Sequence, residues 1–173
     1  MDVGARKSTA DDAMALQAMV QVGAALSRAL DEAARRAGGV CLSQHQVLAA
    51  LAAAEPASLE PRQIAAATGT GSAHMTMLLD RLEDSGLLER RAHPTDRRRR
   101  EVVLTDAGRE RVATTSAAIE VTARAVLARA SGVGPSDVIA VAAALDDAVG
   151  DVGGPMSVDG WAAQPKAPIP GGR

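Results

Sequence analysis

Six arginines fall within the eleven positions Arg90 to Arg100 (Arg90, Arg91, Arg97, Arg98, Arg99 and Arg100), against one acid, Asp96. That segment carries about +5 in a chain of net charge −2, leaving about −7 on the remainder. Guanidinium groups at this density make a surface that draws phosphate, so a mildly acidic chain can still present one strongly basic face. Upstream lies a second set with different chemistry. Ser72, His74 and Thr76 can hydrogen-bond base edges or phosphates, while Ala73 and Met77 can touch a thymine methyl. Other chemistry is thinly supplied. Cys41 is the single cysteine, which excludes an intramolecular disulfide framework. It is a candidate redox thiol, weighed against an inert one. His45, His74 and His93 lie on three separate segments, so a Cys/His zinc site is not expected. No Ser-His-Asp or paired-carboxylate arrangement is visible. Catalysis, metal and cofactor are therefore not expected.

The elements that must position these residues follow from apolar spacing. Leu16, Met19, Val20, Gly23, Leu26 and Leu30 recur at intervals of three and four, predicting a helix from Thr9 to about Ala37. Thr9 and Asp12 resemble a capping box at its start, and Gly38-Gly39 stops it. Ser43 is expected to cap a second helix, with Val47, Leu48 and Leu51 inward and an end near Ala54. Glu60-Pro61 opens a short helix through Ile64, Ala65 and Thr68 to Gly69. A fourth helix runs from about Gly71 to Ser85, burying Met75, Leu78, Leu79 and Leu82 and ending at Gly86. The period then changes. Leu87 to His93 and Glu101 to Leu104 read as two strands around the turn His93-Pro94-Thr95-Asp96, forming a hairpin with a basic tip. Thr105 caps a long helix carrying Val112, Ile119, Val126 and Leu127, broken by Gly132 to Pro135. A last helix presents Val138, Val141, Ala142, Leu145 and Val149 on one face. Residues 153–173 are Gly-, Pro- and Ala-rich without apolar period and are expected to form a disordered tail.

Composition agrees with a mainly α fold. The 173 residues are 47% hydrophobic yet contain no Phe or Tyr, and the one Trp, Trp161, lies in the expected tail. The core must therefore be aliphatic, which favours closely packed helices. No uncharged apolar run of 18 residues exists, and the N-terminus has no uninterrupted apolar segment of the kind a secretory signal carries. No membrane association is expected, and a cytoplasmic location is.

A short helix, a tight turn at Gly69, a second helix and a basic hairpin follow the order of a winged helix-turn-helix. The segment IAAATGTGSAHMTMLLDRLEDSGLLERRAHPTDRRRREVVLTDAGRE, Ile64 to Glu110, resembles the core of the MarR family (multiple antibiotic resistance regulators). The matches are LE-x-x-GL-x-x-R at Leu82 to Arg90, D-x-R at Asp96 and Arg98, and LT-x-x-G at Leu104 to Gly108. The resemblance implies a mainly α fold with a small β-hairpin wing and long terminal helices for dimerisation. It assigns residues 1–152 to one domain, with helices over 9–37 and 105–150 interlocking two copies and a DNA-binding lobe over about 43–104. Ser72, Ala73, His74, Thr76 and Met77 would then meet the major groove. Arg97, Arg98, Arg99 and Arg100 would serve the wing, with Arg98 in the minor groove and Asp96 pairing with a neighbouring arginine to hold it. Family members often carry an arginine or another long polar group near the places of Ser72 and Met77. Its absence shifts expected readout away from guanine and toward A/T-rich sequence. The family pattern further implies a homodimer on a pseudo-palindromic double-stranded operator, acting as a repressor released by a small-molecule effector. Without Phe or Tyr the effector cleft would be lined by Met, Leu and Val. The alternative is a winged-helix protein-interaction module whose arginine hairpin meets an acidic partner without reading DNA.

Overall fold

The computed structural model describes residues 3–55, 58–92 and 99–153. In chain order they form α1 (Val3–Gly38), α2 (Leu42–Ala53), β1 (Ser58–Leu59), α3 (Pro61–Thr68), α4 (Ser72–Asp84), β2 (Leu88–Ala92), β3 (Arg100–Leu104), α5 (Asp106–Leu127) and α6 (Pro135–Gly153). The strands make one antiparallel sheet in the order β1-β3-β2. In the hairpin pair Leu88 faces Leu104 and Ala92 faces Arg100, while β1 places Ser58 opposite Val103. The expected mainly α architecture with a small wing is what the chain adopts.

The core is aliphatic. Val47, Leu48 and Leu51 of α2 meet Ile64 of α3, Met75, Leu79 and Leu82 of α4, and Leu88 and Val102 of the sheet, all with 2% exposure or less. The four apolar positions expected to face inward on α4 are its four buried residues. Pro61 sits in the first turn of α3, where its missing N–H costs nothing, and Glu60 supplies the cap position.

Three details differ from the sequence expectation. α1 begins at Val3 and not at Thr9. Ala5, Arg6 and Lys7 favour helix and no proline intervenes, so the helix runs through the Thr9-Asp12 pair. Ser43 does not cap α2; that position belongs to Cys41, whose backbone is extended. The Cys41 N–H donates to Gln44 Oε1 at 2.9 Å, and the Leu42 N–H donates to Asp31 Oδ1 of α1 at 2.7 Å. Gln44, three residues after the cap, is the signature that identifies Cys41. With Arg35 and the Leu42 amide hydrogen-bonded to it, the Asp31 carboxyl is held below its ordinary value. The third difference is β1, a two-residue strand too short to show alternation.

One junction sets the hairpin against the following helix. Gly86, at φ +69, turns α4 toward β2 in a conformation that favours glycine. Thr105 then donates from Oγ1 to the Gly86 carbonyl at 2.7 Å and accepts at Oγ1 from the Gly108 N–H at 3.0 Å. The Thr105 N–H donates to the Leu87 carbonyl at 3.2 Å. A Cβ on Gly108 would stand 2.0 Å from that same Leu87 oxygen. Leu104-Thr105-x-x-Gly108 and Gly86-Leu87 are therefore two halves of one contact.

α1 meets the lobe only at its C-terminal end, along α2 and α5. From Asp11 to Ala29 every residue is exposed, including Met14, Leu16, Met19, Val20, Val22 and Leu26. On α6 Val138, Ile139 and Val141 are exposed too. By length and a mean hydropathy of 1.2, the segment Asp11–Gly38 qualifies as a candidate membrane span. Its longest uncharged stretch, between Asp12 and Arg28, holds 15 residues. That is about 22 Å of helix, short of the ~30 Å hydrocarbon core.

Candidate nucleic-acid interface

α3 and α4 are joined by a turn in which Gly69, at φ +61, receives the end of α3. α4 opens at Gly71, which has no side chain to cap the helix. An uncapped helix start leaves first-turn N–H groups able to take a phosphate. Ser72, Ala73, His74, Thr76 and Met77 are all exposed, on the opposite side from Met75, Leu78 and Leu79. Thr76 Oγ1 donates to the Ser72 carbonyl at 3.2 Å, and Met77 is 49% exposed. The five residues singled out on this helix thus share one accessible surface.

The arginine segment divides into distinct situations. Arg97, Arg98 and Asp96, which was expected to hold the wing, lie outside the described residues, as do His93 and the rest of the hairpin turn. Arg100 is exposed at the open end of β3, opposite Ala92. Arg99 forms an ion pair with Glu60, the cap residue of α3, and Glu60 also meets Arg62 at 3.0 Å. Arg91 pairs with Glu89. Arg90 turns back onto α4, with one guanidinium nitrogen 2.6 Å from Glu83 Oε2 and the other 2.7 Å from Asp80 Oδ1. Burial alone would lower the Arg90 pKa, but hydrogen bonds to Asp80 and Glu83 outweigh it and hold the value above the ordinary one. Part of the +5 counted along the segment is thus balanced by acids from outside it.

Sequence reasoning missed these acidic partners. The signal was present in LE-x-x-GL-x-x-R, whose Glu83 and Arg90 bracket the α4–β2 turn. Beyond the side-chain pair, the Arg90 N–H donates to Glu83 Oε1 at 3.0 Å.

His45 and Cys41 belong to the scaffold beside the lobe. His45 is buried at 8% exposure, with Nδ1 2.7 Å from Thr115 Oγ1. Thr115 lies within donating distance of the Arg111 carbonyl, at 2.7 Å, so its oxygen accepts from His45 Nδ1–H. Burial lowers the His45 pKa, favouring the neutral ring. Cys41 is half-buried at the head of α2. Among the described residues no three His, Cys, Asp or Glu side chains gather in a metal-binding arrangement.

Two clefts flank the start of α5. One, of about 380 Å³, is lined by Ala37, Gly38 and Gly39 of the α1 end and by Ala107, Glu110, Arg111 and Thr114. The other, of about 230 Å³, lies among Leu51, Ala52, Leu104, Val112 and Ala113, with Arg109 on its wall.

A helix-turn-helix with an exposed second helix and an arginine-bearing wing now stands on the structure, and comparison with known proteins agrees with it. A family model described as the MarR family matches residues 39–99. The match covers the helix-turn-helix and the hairpin up to Arg99, and that part of the chain is similar to MarR-family proteins. Several solved MarR-family structures share its fold. Sco3205 from Streptomyces coelicolor, solved in complex with DNA, superposes at a TM-score of 0.74 with 20% identity, covering 87% of this chain and 92% of its own. A mutant MarR from E. coli complexed with operator DNA gives 0.65 and 19%, over 77% of this chain and 91% of its own. CouR from Rhodococcus jostii RHA1, bound to p-coumaroyl-CoA, gives 0.60 and 22%, over 82% and 92%. No curated protein matches by sequence. Two of these structures hold DNA, and the protein-interaction alternative is not favoured.

Proposed function

We propose that this chain is a homodimeric repressor of the MarR kind, acting in the cytoplasm on a pseudo-palindromic operator and released by a small molecule. The observation that carries the reading is the exposed row Ser72, Ala73, His74, Thr76 and Met77 on α4, set beside a hairpin on which Arg99 and Arg100 are described; Arg97 and Arg98 precede them in the sequence. Those nine residues are the proposed DNA contacts, with Asp96 holding the wing. The five residues singled out on α4 include no arginine, so the wing supplies much of the affinity and the preference leans toward A/T-rich sequence.

Dimerisation rests on the exposed apolar residues of α1 and α6. A helix with Met14, Leu16, Met19, Val20, Val22 and Leu26 all in water is unfavourable as a monomer. Residues 9–37 and 105–150 would interlock with their copies and hold two lobes (about 43–104) on half-sites ~10 bp apart. Of the expected tail over residues 153–173, Gly153 closes α6 and the rest lies outside the described residues. The effector reading is supported by the ligand-bound CouR and by the aliphatic cleft between α2 and α5, which lies where a ligand could shift the lobe against the long helices.

The test is binding to a duplex from the DNA flanking the chain's own gene, compared with a scrambled duplex, across salt concentrations. Preference for the natural duplex is expected. Affinity should fall about 10³-fold or more between 50 and 200 mM salt if six or more phosphates are contacted. Equal binding to both duplexes would sink the operator reading.

A further inference from the structure

Four charged residues occupy the second half of α4, and three are acidic: Asp80, Glu83 and Asp84 against Arg81. Asp80 lies one turn beyond Thr76 and Met77 on the same side of the helix, and its side chain is 54% exposed. A free carboxylate there would face the phosphates that the rest of the helix must approach. Arg90 meets it. Its guanidinium spans Asp80 and Glu83 at 2.7 and 2.6 Å, and its own side chain is only 26% exposed. The backbone bond from Arg90 to Glu83 anchors β2 to the same carboxylate.

We propose that Arg90 is a positioning residue for DNA binding: it pins the carboxylates of Asp80 and Glu83 against the α4–β2 turn, keeping them from the phosphate backbone and locking the wing strand to the recognition helix. The Glu83 contact spans a tight turn and sets the angle between helix and strand. The Asp80 contact reaches a full turn farther up the helix and silences a charge that would otherwise oppose binding. Arg90 is therefore spent inside the protein and is not one of the phosphate contacts. The inference rests on the DNA-binding reading above.

The experiment is fluorescence anisotropy of a labelled duplex from the chain's own upstream region, at several salt concentrations. It compares wild type, Arg90→Ala, Asp80→Asn and the pair combined, with circular dichroism checking that each is folded. Arg90→Ala should weaken binding about tenfold, while Asp80→Asn in the wild-type background changes it by less than about threefold. In the Arg90→Ala background, Asp80→Asn should recover most of the loss, because the unpinned carboxylate is what repels DNA. Equal effects of Asp80→Asn in both backgrounds would show two independent charges and overturn the proposal. A loss that Asp80→Asn leaves untouched, with the salt slope reduced by about one, would make Arg90 a phosphate contact and overturn it equally. Should Arg90→Ala not fold, Arg90→Lys keeps the charge but loses the two-carboxylate grip. A loss of about threefold, recovered by Asp80→Asn, is then expected, and a loss it does not recover refutes the proposal. If the wild-type chain shows no preference for its own duplex, the DNA-binding reading fails and takes this proposal with it. Preference without the Arg90–Asp80 coupling defeats the proposal alone.

Discussion

Gly108→Ala places one methyl group where α5 crosses the α4–β2 turn. The added carbon would lie 2.0 Å from the Leu87 carbonyl oxygen, 3.0 Å from Leu104 Cδ2 and 3.1 Å from the Leu87 carbonyl carbon. Two of these neighbours are backbone, so neither can rotate aside. α5 must retreat by about 1 Å to clear them, which stretches the bonds that Thr105 makes to Gly86 and Gly108. Overpacking of this kind costs about 1–3 kcal/mol, and weakening the helix cap adds about 1 kcal/mol. Alanine's better helix propensity returns about 0.5–1 kcal/mol. The net expectation is a loss of about 2 kcal/mol, or roughly 4–8 °C in Tm for a chain of this size. Circular dichroism at fixed protein concentration is the assay. Tryptophan emission would report on Trp161, outside the described residues, while helix content reads the fold directly. A variant as stable as wild type, or more so, would refute the close approach, because propensity alone predicts a gain.

Protonation supplies a second prediction. His45 has its pKa lowered by burial in the native state, so native stability is full above the unfolded value of about 6.5 and is lost as pH falls through 6.5 toward the folded value. Thermal midpoints of wild type should therefore drop between pH 7.5 and 5.5 by more than those of His45→Gln, and parallel curves would remove His45 as the cause. Arg98→Ala should weaken binding to all duplexes and reduce the salt slope by about one, whereas His74→Ala should change the ranking among duplexes; an unchanged affinity in Arg98→Ala would make the wing assignment wrong. Val20→Glu, at a position 72% exposed in the single chain, should shift sedimentation from dimer to monomer with helix content preserved, and a variant that remains dimeric would exclude that face of α1 from the interface.

Periodic patterns were legible in the sequence and reciprocal ones were not. The buried face of α4, the Pro61 start of α3, the Thr105 cap and the Gly86 turn each follow from residues close together in the chain, whose spacing carries the geometry. Side-chain preference alone favours Ser43 as the cap of α2, whereas Gln44 three residues on and the distant Asp31 decide it for Cys41. β1 is recognisable only through β3, against which its two residues pair. Glu60 shows the same limit at the candidate site. It reads as a helix start, and its ion pair with Arg99 exists only once the sheet brings the wing beside α3.

The same distinction bears on how an acidic chain can carry the proposed DNA-binding surface. Counting charges along Arg90 to Arg100 treats every arginine as available, yet Arg90, Arg91 and Arg99 each meet a carboxylate. Arg91 draws its partner from its own strand and stays exposed, so its charge remains near solvent. Arg90 and Arg99 reach acids on α4 and at the head of α3, the two helices of the helix-turn-helix. Each therefore ties one edge of the wing to one of those helices. An arginine used in this way has part of its charge balanced by its carboxylate, and it also ties the hairpin to the helix that carries that acid. Basic residues in such a segment can thus hold the hairpin against the helices as well as draw phosphate. Removing Arg90 should alter affinity through its acidic partners, whereas removing Arg98 should alter it directly through salt dependence.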